Sequence, residues 1–141
     1  MGPVDEHQAR ARFAASRVAR FASVGGDAVP HLVPVTFAMP DDESVVFAVD
    51  HKPKTTPRLK RLTNVRQNPR VALLADAYSG DWSSLWWVRA DAHATVLDLD
   101  DERTRLAVDA LVDRYPQYRW NRPVGPVVWC DVSRWVGWSA T

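Results

Sequence analysis

Between Leu85 and Leu97 the chain alternates in character: Trp86, Val88, Ala90, Ala92, Ala94 and Val96 fall on one side of an extended backbone, and Trp87, Arg89, Asp91, His93 and Thr95 fall on the other. A period of two sends successive side chains to opposite faces of a strand. The segment therefore predicts a long, half-buried strand with one wet or ligand-facing side. Such a strand needs neighbours, and the rest of the chain supplies them. Arg17 to Val24 reads as a short strand ended by the turn Gly25-Gly26-Asp27. Ala28 to Met39 alternates again, with Val29, His31, Val33, Val35, Phe37 and Met39 on one face. Pro40-Asp41-Asp42 predicts a turn into the strand Ser44 to Val49; Val71 to Ala75 is a short apolar strand, and Val127 to Trp138 a final one.

Helices are expected in three places. Val4 to Ser16 is rich in good helix formers, with Pro3 in the first turn. Pro57 opens a short helix over Arg58 to Leu62. Asp100 to Arg114 is amphipathic, with Leu106, Ala107, Ala110 and Leu111 on one stripe and acids in its first turn. About six strands as consecutive antiparallel neighbours, with two or three helices outside, predict a mainly β fold, a small closed barrel with peripheral helices. A chain of 141 residues has room for one core, so residues 1–141 read as a single domain.

Several function classes drop out at this stage. Cys130 is the single cysteine, which removes an intrachain disulfide and a thiolate cluster, and its apolar neighbours Val127 to Trp129 make it a buried filler. The four histidines are scattered without metal-ligand spacing. No apolar run approaches the roughly 20 residues of a membrane span, and Met1 to Ala15 lacks the apolar centre of a signal peptide. The expected location is cytoplasmic.

The net charge of +1 conceals a local asymmetry. Lys52, Lys54, Arg58, Lys60, Arg61, Arg66 and Arg70 crowd a stretch without a single acid, whereas Asp98 to Glu102 is almost wholly acidic. Thr55 and Thr56 precede the helix that Pro57 opens, and a helix start with hydroxyls and cations makes a phosphate cradle. A solvated basic loop and a nucleic-acid surface are the other readings; no nucleic-acid motif accompanies the charges. Pro34 interrupts the strand Leu32 to Phe37, which marks a sheet edge, a bulge or a place where a ligand approaches the backbone. Seven tryptophans occur in the chain, and Trp82, Trp86 and Trp87 lie close together beside Tyr78. Trp86 and Trp87 must face opposite sides, so only one enters the main core. The other is left for an interface or for stacking on a planar ligand.

Taken in order, Pro34-Val35-Thr36-Phe37, Arg58-Leu59-Lys60 and the run Asn64 to Val71 with its Asn68-Pro69 resemble the pyridoxamine-phosphate-oxidase-like split-barrel family. The run Trp86 to Ala90, the helix after it and the Trp-ended last strand resemble its deazaflavin-dependent branch of actinobacterial type. The resemblance covers Val18 to Trp138. It implies a six-stranded antiparallel split β-barrel of the FMN-binding type, in a homodimer with two cofactor sites between the subunits. Nucleic acid and membrane are not implied as partners. The cofactor would be coenzyme F420 or, alternatively, FMN. By the match, Arg58 and Lys60 would bind its phosphate, with Lys54 and Arg61 as helpers and Thr55 near a phosphate-binding hydroxyl. Pro34, Val35, Thr36 and Phe37 would set backbone groups against the ring system.

One departure bears on the choice of cofactor. Where FMN-binding oxidases carry Gln-Val-Arg, this chain has Trp87-Val88-Arg89. The amide that would contact an FMN ring is replaced by an indole, which favours the deazaflavin. The implied reaction is hydride transfer to a small conjugated or unsaturated substrate, in which the cofactor carries the hard chemistry. No catalytic side chain is singled out; Tyr78, His31 and bound water are the candidate proton donors. FMN-dependent oxidation or reduction is one competing reading. A non-catalytic F420- or tetrapyrrole-binding protein is the other.

Overall fold

The computed structural model describes residues 1–49 and 59–141. Its strands are β1 (Gly2–Val4), β2 (Ala19–Val24), β3 (Pro30–Val35), β4 (Ala38–Asp41), β5 (Ser44–Ala48), β6 (Arg70–Ala77), β7 (Trp86–Leu97) and β8 (Val127–Ser139). Helices α1 (Glu6–Ala15), α2 (Leu59–Gln67), α3 (Glu102–Arg114) and the short α4 (Gln117–Trp120) lie between them. All strand pairs are antiparallel, in the order β3-β2-β6-β7-β8-β5-β4, with β1 added to β8. The sheet thus has eight strands among the described residues, not six. It is also not closed by hydrogen bonds. Its two end strands, β3 and β4, are joined by only Thr36 and Phe37, so the sheet must curl until its ends meet at that corner. The outcome is a barrel split along one seam.

The alternation of β7 is realised. Val88, Ala90, Ala92 and Ala94 are buried, while Arg89, Asp91 and His93 are partly or fully open. Inside the barrel they meet Phe21, Val35, Val45, Phe47 and Leu73. Phe13 of α1 closes one end, packed on Phe37 at 4.8 Å and edge-on to Trp135 at 5.3 Å. A second cluster, built around Val46, Ala107, Leu111, Tyr115 and Trp129, fastens α3 to the outside of the barrel. Strand β8 serves both ends of the sheet because it bends. Asp91 faces Arg134 but Ala92 faces Val132, which leaves Ser133 as an extra residue. Below this bulge β8 pairs with β5, and above it with β1.

Four expectations need correction. Pro3 lies in β1 opposite Trp138, and helix α1 starts later because the Asp5 carboxylate accepts from the Gln8 amide as its N-cap. The single strand expected over Ala28 to Met39 is two strands, broken at Thr36 and Phe37 after the last β2–β3 pair, Ala19 with Val35. The turn expected at Pro40-Asp41-Asp42 falls at Asp42-Glu43, since Asp41 still pairs with Ser44. On α3 the buried stripe is Ala107, Val108 and Leu111; Leu106 is 57% exposed, one helical step off the packed face. Cys130 is fully buried, and burial pushes its thiol pKa up, so it is inert filler.

Candidate functional site

Helix α2 carries Lys60, Asn64 and Gln67 at i, i+4 and i+7, a spacing that places all three on one face. That face meets the turn between β2 and β3. Asn64 is fully buried and donates through Nδ2 to the Ser23 hydroxyl at 3.2 Å. Its Oδ1 packs onto Gly25, where a Cβ would sit 2.4 Å away. Only glycine admits this approach. Gln67 Oε1 accepts from the Gly26 amide at 2.7 Å, and Lys60 Nζ meets Asp27 Oδ2 at 2.7 Å. The other Asp27 oxygen accepts from the Val29 amide, and Ala28 between them takes a positive φ of 59°. The Lys60 ammonium and then the Val29 amide hold the Asp27 carboxyl below its ordinary range.

A second fixed point is the barrel corner at Thr36 and Phe37. The Tyr115 hydroxyl, from the end of α3, accepts from the Phe37 amide at 3.1 Å and lies 2.7 Å from the Phe37 carbonyl and 3.0 Å from that of Arg17. Burial raises the pKa of this phenol, which keeps its proton on the oxygen. The Arg114 guanidinium stands 4.8 Å over the Phe37 ring and donates to the Ser16 carbonyl. Next to this corner, Thr36 Oγ1 and the Tyr118 hydroxyl share a hydrogen bond at 3.2 Å. Tyr118 also borders an open cavity of about 380 Å³, whose wall includes Ala48, Val49, Asn121, Arg122 and Val124. Val49 is the last described residue before the basic segment.

The third element is the outward face of the sheet. The strand registers place Arg20, Leu32, Pro34, Leu74, Asp76, Trp87, Arg89, Val136 and Trp138 on it. Arg20 pairs with Asp76 at 3.1 Å and Arg89 with Asp91 at 2.7 Å. Across the strands Arg89 stands between Leu74 and Val136, and Trp87 between Asp76 and Trp138; Leu74, Trp87, Val136 and Trp138 are partly exposed, while Leu32 is 66% exposed.

A family model described as pyridoxamine 5'-phosphate oxidase matches residues 5–138. The chain belongs to the pyridoxamine 5'-phosphate oxidase family. Solved structures similar to this family member include an FAD-binding protein from Mesorhizobium loti, at 19% identity and a TM-score of 0.74 over 96% of this chain and 93% of that one. An FAD-binding protein from Mycobacterium smegmatis is similar at 17% identity and 0.64, over 98% and 96%. The heme storage protein HutZ from Vibrio cholerae is similar at 12% identity and 0.65, over 91% and 87%. At these identities the likeness establishes the fold alone. No curated protein matches the chain.

Within this family fold the sequence-predicted site residues fall into separate groups. Lys54, Thr55 and Arg58 lie outside the described residues. Lys60 and Arg61 occupy the first turn of α2; both are partly exposed, and Lys60 already holds Asp27. Pro34 is exposed in the end strand β3, so the proline does sit at a sheet edge. Val35 is buried in the core, and Phe37 is wholly enclosed with its backbone groups taken by Tyr115, which leaves Thr36 as the exposed member of the run. Trp87 is partly exposed on the outward face, and its neighbour Trp86 turns inward beneath the Arg12 guanidinium. Tyr78 and Trp82 are 71% and 69% exposed and make no ring contact among the described residues. No hydrogen bond among the described residues joins Tyr78 or His31 to Lys60, Thr36 or Trp87. Sequence reasoning misses Asp27, Asn64, Gln67, Tyr115 and Tyr118. The i, i+4, i+7 spacing of Lys60, Asn64 and Gln67 was the available signal; for the tyrosines there was none.

Proposed function

We propose that this member of the pyridoxamine 5'-phosphate oxidase family is an oxidoreductase that uses the deazaflavin coenzyme F420 for hydride transfer to a small conjugated or unsaturated substrate. FMN is the alternative cofactor. The supporting observation is the start of α2, where partly exposed Lys60 and Arg61 continue the basic segment on a helix locked in place by Asn64 and Gln67. This donor set suits a phosphate: two cations at a helix start, with no acid in that first turn. Arg58 and Lys60 would hold the phosphate, with Lys54, Thr55 and Arg61 as helpers; Lys54, Thr55 and Arg58 lie outside the described residues. When bound, the cofactor supplies the hydride. The chain's own part is to orient and shield it, through the immobilised corner at Thr36-Phe37 and the indole of Trp87.

The outward sheet face is proposed as the contact between two subunits. Its partly exposed tryptophans, Trp87 and Trp138, are cross-strand neighbours, and Arg89 stands beside them between Leu74 and Val136; aromatic residues and arginine are the types enriched in interfaces. Sedimentation of the purified protein should return a dimer.

The cofactor assignment is tested by titrating the purified protein with F420 and with FMN while following tryptophan fluorescence. Tighter quenching by F420 is expected, and Lys60→Ala should weaken it with the thermal melt unchanged. Preferential FMN binding would overturn the deazaflavin assignment. Because HutZ is a heme storage protein of the same fold, hemin belongs in the same titration. Hemin affinity together with absent F420- or FMN-dependent turnover on a panel of enones, quinones and bilins would favour a non-catalytic binder.

A further inference from the structure

The Lys60–Asp27 ion pair stands apart from the other contacts between α2 and the β2–β3 turn. Asn64 and Gln67 dock the helix without it, through a buried hydrogen bond, a backbone amide and the close packing on Gly25. The ion pair lies farther out, with Lys60 and Asp27 side chains 39% and 45% exposed. Pairs this open contribute little to stability. Asp27 is nevertheless held in place: one carboxylate oxygen is bound to the Val29 amide, which leaves the other aimed at the ammonium. Helix α2 has no acid in its own first turn, so the carboxylate beside Lys60 comes from a turn 33 residues earlier.

We infer that Asp27 is an internal competitor for the anion site at the start of α2: it occupies Lys60 until an incoming phosphate displaces it, and so sets how tightly a phosphorylated cofactor is held. The inference rests on the proposed role of Lys60 in phosphate binding. In the exchange no covalent bond changes; Lys60 trades one oxygen anion for another, and Asp27 becomes solvated. Docking of α2 survives because Asn64 and Gln67 remain engaged. The cofactor's ring is not involved, so the effect belongs to the phosphate alone.

Asp27→Asn is the informative substitution, since its amide oxygen can still accept from Val29 while the negative charge is gone. Affinities for FMN and for riboflavin, which lacks the phosphate, are measured by fluorescence titration in the parent, Asp27→Asn, Lys60→Ala and the double variant. Asp27→Asn should tighten FMN by about two- to fivefold, the range of an exposed ion pair. Riboflavin affinity should stay unchanged, and the gain should vanish in the Lys60→Ala background. An Asp27→Asn protein that binds FMN no more tightly, while Lys60→Ala weakens it, would overturn the competitor role and leave Lys60 as a phosphate ligand. Lys60→Ala without effect on FMN, or on F420 in the titration above, would overturn both. Equal tightening of FMN and riboflavin would also overturn it, because the effect would then lie in the ring site.

Discussion

Gly25→Ala probes the docking of α2 most directly. A Cβ at position 25 would stand 2.4 Å from Asn64 Oδ1 and 2.7 Å from Gln67 Oε1. Gln67 is exposed and can swing its amide away. Asn64 is fully buried and cannot, so it must give up its bond to Ser23 or push α2 outward. Overpacking of this kind costs about 1–3 kcal/mol, and the lost hydrogen bond adds roughly 1 kcal/mol. Stiffening of the unfolded chain returns about 0.4–1 kcal/mol. The net loss should be about 1–3.5 kcal/mol, a fall in Tm of roughly 3–14 °C for a chain of this length. Urea unfolding followed by far-UV circular dichroism gives the free energy. Asn64→Ala in the same chain opens the space, so Gly25→Ala should cost much less in that background. A loss below about 0.5 kcal/mol, or an equal loss in both backgrounds, would refute the steric argument.

Two further outcomes follow from the core. Tyr115→Phe keeps the ring but strips the Phe37 amide of its partner, so stability should fall by about 1–3 kcal/mol in the same urea assay. Burial of the neutral phenol is a separate effect: it raises the folded pKa, so its contribution is fully present below the ordinary tyrosine value of 10.0 and lost as pH climbs through the higher folded value. Cys130 should resist a thiol reagent in native buffer and react fully in urea, since it is wholly enclosed and its thiol pKa is raised; rapid labelling of the folded protein would contradict its burial.

Local pattern carried most of the fold. The period-two alternation of Trp86 to Leu97 marked a half-buried strand because backbone geometry alone assigns its two faces. The adjacent indoles of Trp86 and Trp87 had to part for the same reason. Motif order pointed to the family, and the family model bears that out. The preference for F420 over FMN rests on the single departure at Trp87.

What only the tertiary structure decided depends on contacts between distant residues. Ala28 to Met39 keeps its alternation through the corner, yet it divides because the Tyr115 hydroxyl, 78 residues away, captures the Phe37 backbone and turns the chain from β2 towards β5. Phe37 matched the expected motif but became core, enclosed by Phe13 and Arg114. The charge of Lys60 was plain in the sequence, but its partner Asp27 lies 33 residues off and meets it only when α2 settles on Gly25. Periodicity reports which way a side chain faces, because that is set by the dihedrals of its own backbone. Which group it then meets is set by how the sheet curls, and that depends on the whole chain at once.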